Sequence, residues 1–104
     1  MHNKFVLEEI EGKGICIFLG NVKYHKELCI KESNVKGGGM YTKKENKITF
    51  FGGSWMKSNQ FGSAEFEDIK NAVDNNHVYQ YPFKSVNLKF AFKGDFSAEE
   101  IDLN

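Results

Sequence analysis

The sequence predicts an α+β fold with a mixed or mostly antiparallel sheet. Three observations lead there. Strand-like segments outnumber helical ones, and the strongest helical pattern falls late in the chain, at about residues 63–75. The third is composition: ten phenylalanines, four tyrosines and one tryptophan in 104 residues favour pleated surfaces, where aromatic rings pack well. A chain of this length supports one core, so residues 1–104 are read as a single domain.

Lys4 to Ile10 reads as the first strand, with Phe5, Leu7 and Glu9 at the alternating positions. Gly12-Lys13-Gly14 is a turn signal. Ile15-Cys16-Ile17-Phe18-Leu19 is a continuous apolar run, suited to a strand covered on both faces, and Gly20-Asn21 breaks it. From Val22 to Glu32 two readings stand. One is a short helix starting near His25 and reaching about residue 32; the other is an extended segment with Leu28 and Ile30 on one face.

Ser33 to Tyr41 is predicted as a strand carrying Gly37-Gly38-Gly39, with Lys43 to Lys47 as a solvated hairpin turn and Ile48 to Phe51 as the partner strand. Glycine in a strand loses backbone freedom and packs no side chain, so three in a row imply close approach by another backbone or a ligand. Gly52 to Gln60 is read as a loop containing Trp55 and Met56.

Ser63 is the predicted N-cap of the main helix, and Phe66, Ile69, Ala72 and Val73 form its apolar face. His77 to Tyr81 is the next strand, stopped by Pro82. Val86 to Phe92 alternates, with Val86, Leu88, Phe90 and Phe92 on one face. Ser97-Ala98-Glu99-Glu100 matches a capping box and predicts one terminal helical turn.

Fourteen basic residues balance fourteen acidic ones, a composition that argues against nucleic-acid binding. Every base is lysine, so any phosphate would be held by backbone N–H groups, hydroxyls and ammonium point charges rather than by a bidentate guanidinium. No apolar run approaches the roughly 20 residues of a membrane span, and Met1 to Leu7 lacks a signal-peptide pattern. Cys16 and Cys29 lack CxxC spacing and read as reduced thiols, so the expected location is cytoplasmic. His2, His25 and His77 lack ligand spacing, and no metal or cofactor is expected.

Four segments, in order, resemble the phosphohistidine phosphatase (Janus/Ocnus) family. They are Lys4-Phe5-Val6-Leu7, Tyr24-His25, Gly37-Gly38-Gly39, and Phe51-Gly52-Gly53-Ser54 followed by Phe61-Gly62. They span Lys4 to about Val73 and leave the last thirty or so residues uncovered. The resemblance implies a metal-independent protein histidine or phosphoramidate phosphatase. His25 would be general base or nucleophile at a helix N-terminus, where the field keeps imidazole neutral. Lys4, Lys26, Gly38, Gly39, Ser54, Trp55 and Met56 would form the phosphate-binding surroundings.

Read from the residues alone, His25 also fits a surface histidine, Lys4 a solvated charge, Ser54 a turn residue, and Trp55-Met56 either core or a binding surface. The alternative function is a non-catalytic module for a phosphorylated or anionic small ligand or a partner protein. The absence of arginine, Met40 after the glycines and the long loop before Phe61 favour that reading. A third is an adaptor using Trp55, Met56 and the Phe-rich C-terminal strand.

Overall fold

The computed structural model describes residues 2–45, 47–51, 59–82, 84–89 and 97–101. Among these residues it forms one mixed sheet and one α-helix. In chain order the elements are β1 (His2–Ile10), β2 (Gly14–Val22), β3 (Val35–Lys44), β4 (Lys47–Phe51), α1 (Phe66–Asp74), β5 (Val78–Gln80), β6 (Lys84–Ser85), β7 (Asn87–Lys89) and β8 (Ser97–Ile101). The sheet order is β6-β5-β2-β1-β3-β4-β8-β7. All pairings between these strands are antiparallel except β2 with β5.

Strand β1 sits mid-sheet, between β2 and β3. Its turn into β2 uses Gly12 and Gly14, both at φ +84°, where a side chain would be strained. Residues 4–8 of β1 and 16–20 of β2 are all buried, because elements cover both faces of the sheet. On one face Phe5, Leu7, Ile17, Leu19, Tyr41, Ile48 and Phe50 pack with Ile69, Ala72 and Val73 of α1. Phe5 and Phe50 meet edge to face, with ring centroids 5.1 Å apart. On the other face Val6, Cys16, Phe18, Val22 and Leu28 form a second cluster, with Val35, Phe61 and Tyr79 against it.

Several expected boundaries move. Gly20 and Asn21 do not end β2, which runs to Val22; Gly20 is needed inside the strand because a Cβ there would lie 2.7 Å from Leu28. The 25–32 segment is neither one helix nor extended: His25–Leu28 and Glu32–Asn34 are separate short 3₁₀ turns. The hairpin tightens, since β3 continues to Lys44 and pairs it with Lys47; Glu45 takes φ 57°.

Helix α1 starts at Phe66 with Glu65 as N-cap, not at Ser63. Ser63 is held to the sheet instead, as Gly38 N donates to Gly62 O (2.9 Å) and Ala64 N donates to Gly38 O (3.2 Å). The terminal helical turn predicted at 97–100 is strand β8, paired with both β4 and β7. Phe90, Ala91 and Phe92 lie outside the described residues; β7 covers Asn87–Lys89. Among the described residues no helix is long and apolar enough to cross a membrane.

Candidate functional site

Beyond Val22 the chain leaves the sheet and makes one tight turn. Glu27 N donates to Tyr24 O (3.1 Å), and Tyr24 N donates to the Glu27 carboxylate (2.7 Å). In a 3₁₀ turn residues three apart lie on one side, so His25 and Leu28 both turn inward and are fully buried. Tyr24, Lys26 and Glu27 stay outside.

His25 Nε2 lies 2.7 Å from Gly39 O. A carbonyl only accepts, so Nε2 must carry the proton and donate it. In neutral imidazole the basic nitrogen is then Nδ1. The triple glycine makes room for this contact. A Cβ on Gly38 would stand 3.0 Å from His25 Cδ2 and 3.1 Å from Asn59 Oδ1, and one on Gly37 would stand 2.9 Å from Ser63 O. The close backbone approach that a glycine run implies is present beside Gly37, and over Gly38 the near neighbours include the His25 ring.

Lys4 pairs with Met40 on β3, one residue from the Phe5–Gly39 pair. It is 2% exposed, and its Nζ donates to Val22 O at 2.7 Å. Burial lowers its pKa below the ordinary 10.5, with the Glu27 carboxylate opposing. Lys4 is therefore not a solvated charge, and His25 is not a surface residue.

Lys4, His25, Gly38 and Gly39 come together, although Lys4 and His25 each bond a backbone carbonyl. Lys26 is exposed, with Nζ 5.6 Å from the Tyr24 ring centroid, and Lys23 lies 5.4 Å from it. Tyr24, 44% exposed, thus carries two ammonium groups beside His25. Ser54, Trp55 and Met56 lie outside the described residues. The expected helix N-terminus at His25 is a four-residue 3₁₀ turn. It is too short for a macrodipole, and the Glu27 carboxylate already takes the Tyr24 N–H. The Gly39 carbonyl, not a helix field, sets the imidazole tautomer.

No protein-family model, curated protein or solved structure matches the chain.

Two polar residues that the sequence reading passed over support the site. Glu8 is fully buried, and its two carboxylate oxygens accept from Ile30 N (2.7 Å) and Lys31 N (2.8 Å). Its signal was parity: Glu8 falls in phase with Lys4 and Val6, on the face that the 3₁₀ turns cover. Asn59 shapes the approach to Gly62, accepting from Phe61 N (3.1 Å) and donating to Gly62 O (3.0 Å). Among the described residues no cluster of three or more His, Cys, Asp or Glu is placed to hold a metal ion.

Proposed function

We propose that this chain is a phosphohistidine or phosphoramidate phosphatase, with His25 as the reacting group through Nδ1. The observation that carries the reading is the His25 Nε2 contact with Gly39 O, one strand from the Lys4 ammonium. A base or nucleophile needs a defined tautomer and a fixed orientation. The Gly39 carbonyl supplies both, and because His25 is fully buried, Nδ1 meets substrate only when the residues covering it move aside.

As a base, Nδ1 takes a proton from water while the water oxygen bonds to phosphorus. The P–N bond breaks, and its electron pair leaves on the substrate nitrogen, which takes up a proton from solvent. As a nucleophile, Nδ1 bonds to phosphorus as the substrate P–N bond breaks and its pair leaves on the substrate nitrogen, which takes a proton; water then breaks the Nδ1–P bond, giving phosphate and returning the pair to Nδ1. Either way the ring gains positive charge, which the Gly39 carbonyl dipole stabilises. Lys4 adds one positive charge near the phosphoryl oxygens, and Lys23 and Lys26 make the outer approach cationic. Substrates in this reading are phosphorylated proteins or small phosphoramidates, in a cytoplasmic setting where Cys16 and Cys29 stay reduced.

The test is phosphate release from phosphohistidine and phospholysine. Wild type releases phosphate, and His25→Ala loses at least about a hundredfold in rate. A folded wild type inactive on both substrates overturns the proposal.

One observation favours the non-catalytic reading. Lys4 Nζ and His25 Nε2 are both buried and both bonded to backbone carbonyls. In that case the exposed Tyr24–Lys23–Lys26 cluster holds an anionic ligand or phosphoprotein without turnover. Saturable phosphoramidate binding, weakened by Lys23→Ala and Lys26→Ala and unaccompanied by release, is its signature.

A further inference from the structure

A second feature lies on the same sheet face but shares no residue with the His25 site. Ile10, Lys13, Cys16, Phe18, Ile30 and Tyr79 line a cleft of about 270 Å³. Its wall is a stacked pair, Phe18 and Tyr79, with centroids 5.5 Å apart and planes at 25°. Cys16 adds a buried thiol whose pKa is raised, chiefly by burial. Ile30 at the mouth is 68% exposed, the most exposed large apolar side chain among the described residues.

Lys13 is the one cation of the lining. Its Nζ donates to Tyr79 Oη at 3.0 Å and sits 5.1 Å from the Tyr79 ring centroid. Since the phenol oxygen accepts from the ammonium, the phenol proton is left to donate elsewhere. Lys13 is exposed and keeps two further N–H protons. The rim therefore presents an ammonium and a hydroxyl donor above an apolar interior. The hydrogen bond to Tyr79 also holds Lys13 above the ordinary lysine pKa, so it is charged across the neutral range.

We propose that this cleft binds a small apolar monocarboxylate, its hydrocarbon body against Phe18, Cys16 and Ile10 and its carboxylate on Lys13 Nζ and Tyr79 Oη. The volume lies just under the usual range for drug-sized ligands, which fits a fragment-sized molecule. One ammonium matches one negative charge. The chain has no arginine to hold a dianion bidentately. Cys16 feels the Lys13 ammonium more strongly than the opposing Glu8 carboxylate, so the charge in the lining favours an anion at the Lys13 rim. The site is independent of the phosphatase reading.

The probes are octanoate and its neutral counterpart octanol, titrated into the full chain and followed by amide chemical shifts and calorimetry. Octanoate saturates, moves the amides of Ile10, Phe18, Ile30 and Tyr79, and binds more tightly than octanol. Lys13→Met weakens octanoate roughly fivefold, the size of a charged hydrogen bond at a partly exposed rim, and leaves octanol unchanged. Ile30→Glu, at an exposed position that tolerates charge, removes binding of both, while His25→Ala binds octanoate as wild type does. Absence of saturation, equal affinity for octanol, equal octanoate affinity in Lys13→Met, or shifts confined to residues outside the cleft overturns the proposal.

Discussion

Lys4 brings an ammonium into the sheet interior and gives it one carbonyl, that of Val22, as partner. Burial lowers its pKa, so at alkaline pH below 10.5 the unfolded chain holds this proton more firmly than the folded protein does. Stability depends on pH in proportion to the protons bound unfolded minus folded, so this group makes the fold more stable as pH rises toward 10.5. Three groups raised by burial act in the opposite direction, as do Lys13 and Lys70, raised by their hydrogen bonds to Tyr79 and Asp74. Burial raises Tyr41 above 10.0 and the thiols of Cys16 and Cys29 above 9.0, so each ionises first in the unfolded chain and costs stability as pH passes those values. The Lys4 part is isolated by subtracting Lys4→Met from wild type. Measured by urea unfolding at stepped pH, wild type gains on the variant as pH approaches 10.5. A difference independent of pH would mean that Lys4 is solvated. The family resemblance names His25 and Lys4 together, and the fold buries both on one face of the sheet beside β3. Their burial was not legible in the sequence, because nothing in Tyr24-His25-Lys26 reveals that a 3₁₀ turn points the middle residue inward.

At the scale of elements, patterns carried by packing read through, and patterns carried by caps did not. The apolar spacing of Phe66, Ile69, Ala72 and Val73 placed α1, because burying Ile69 contributes about 1.5–3 kcal/mol and no local preference competes with that. Ser63 and Ser97 both resemble N-caps, yet neither caps a helix. A cap contributes about 1 kcal/mol. At Ser63 the backbone bonds between its neighbours and Gly38 replace it, and at Ser97 pairing with Thr49 of β4 does. Glu99 is the position where this can be tested, since it faces Lys47 of β4 on one side and Lys89 of β7 on the other. A proline there removes an N–H that one of the two ladders uses. Glu99→Pro therefore costs about 2–3 kcal/mol, and hydrogen exchange of the β4 amides rises with it. A helical turn at 97–100 predicts the reverse, little loss and unchanged β4 exchange. The triple glycine was the most informative local signal because its cost needs a reason, and the His25 ring and the 63–64 backbone supply it.

Across the whole molecule the sheet separates two kinds of contact. The α1 face is apolar and carries the larger cluster, Phe5 and Phe50 included. Among the described residues the opposite face accepts the buried Lys4, Glu8 and His25, each bonded to backbone: Lys4 to Val22 O, Glu8 to Ile30 N and Lys31 N, and His25 to Gly39 O. The main apolar core and both proposed sites thus lie on different sides of one layer, and under those proposals paired variants separate them. Ile69→Ala leaves a cavity on the α1 face and lowers unfolding free energy by about 2–4 kcal/mol, while phosphate release per folded molecule and octanoate affinity stay as in wild type. Glu8→Gln lowers stability less, by about 1–2 kcal/mol, since one amide oxygen must replace two carboxylate oxygens that serve two N–H groups. Its effect is local: exchange at the Ile30 and Lys31 amides accelerates, and octanoate weakens because Ile30 loses its fixed place at the cleft mouth. If Ile69→Ala also changed the chemistry, or Glu8→Gln loosened α1 as much as residues 30–31, the two faces would act as one cooperative unit, and the sites would depend on the helix side as much as on the turns that cover them.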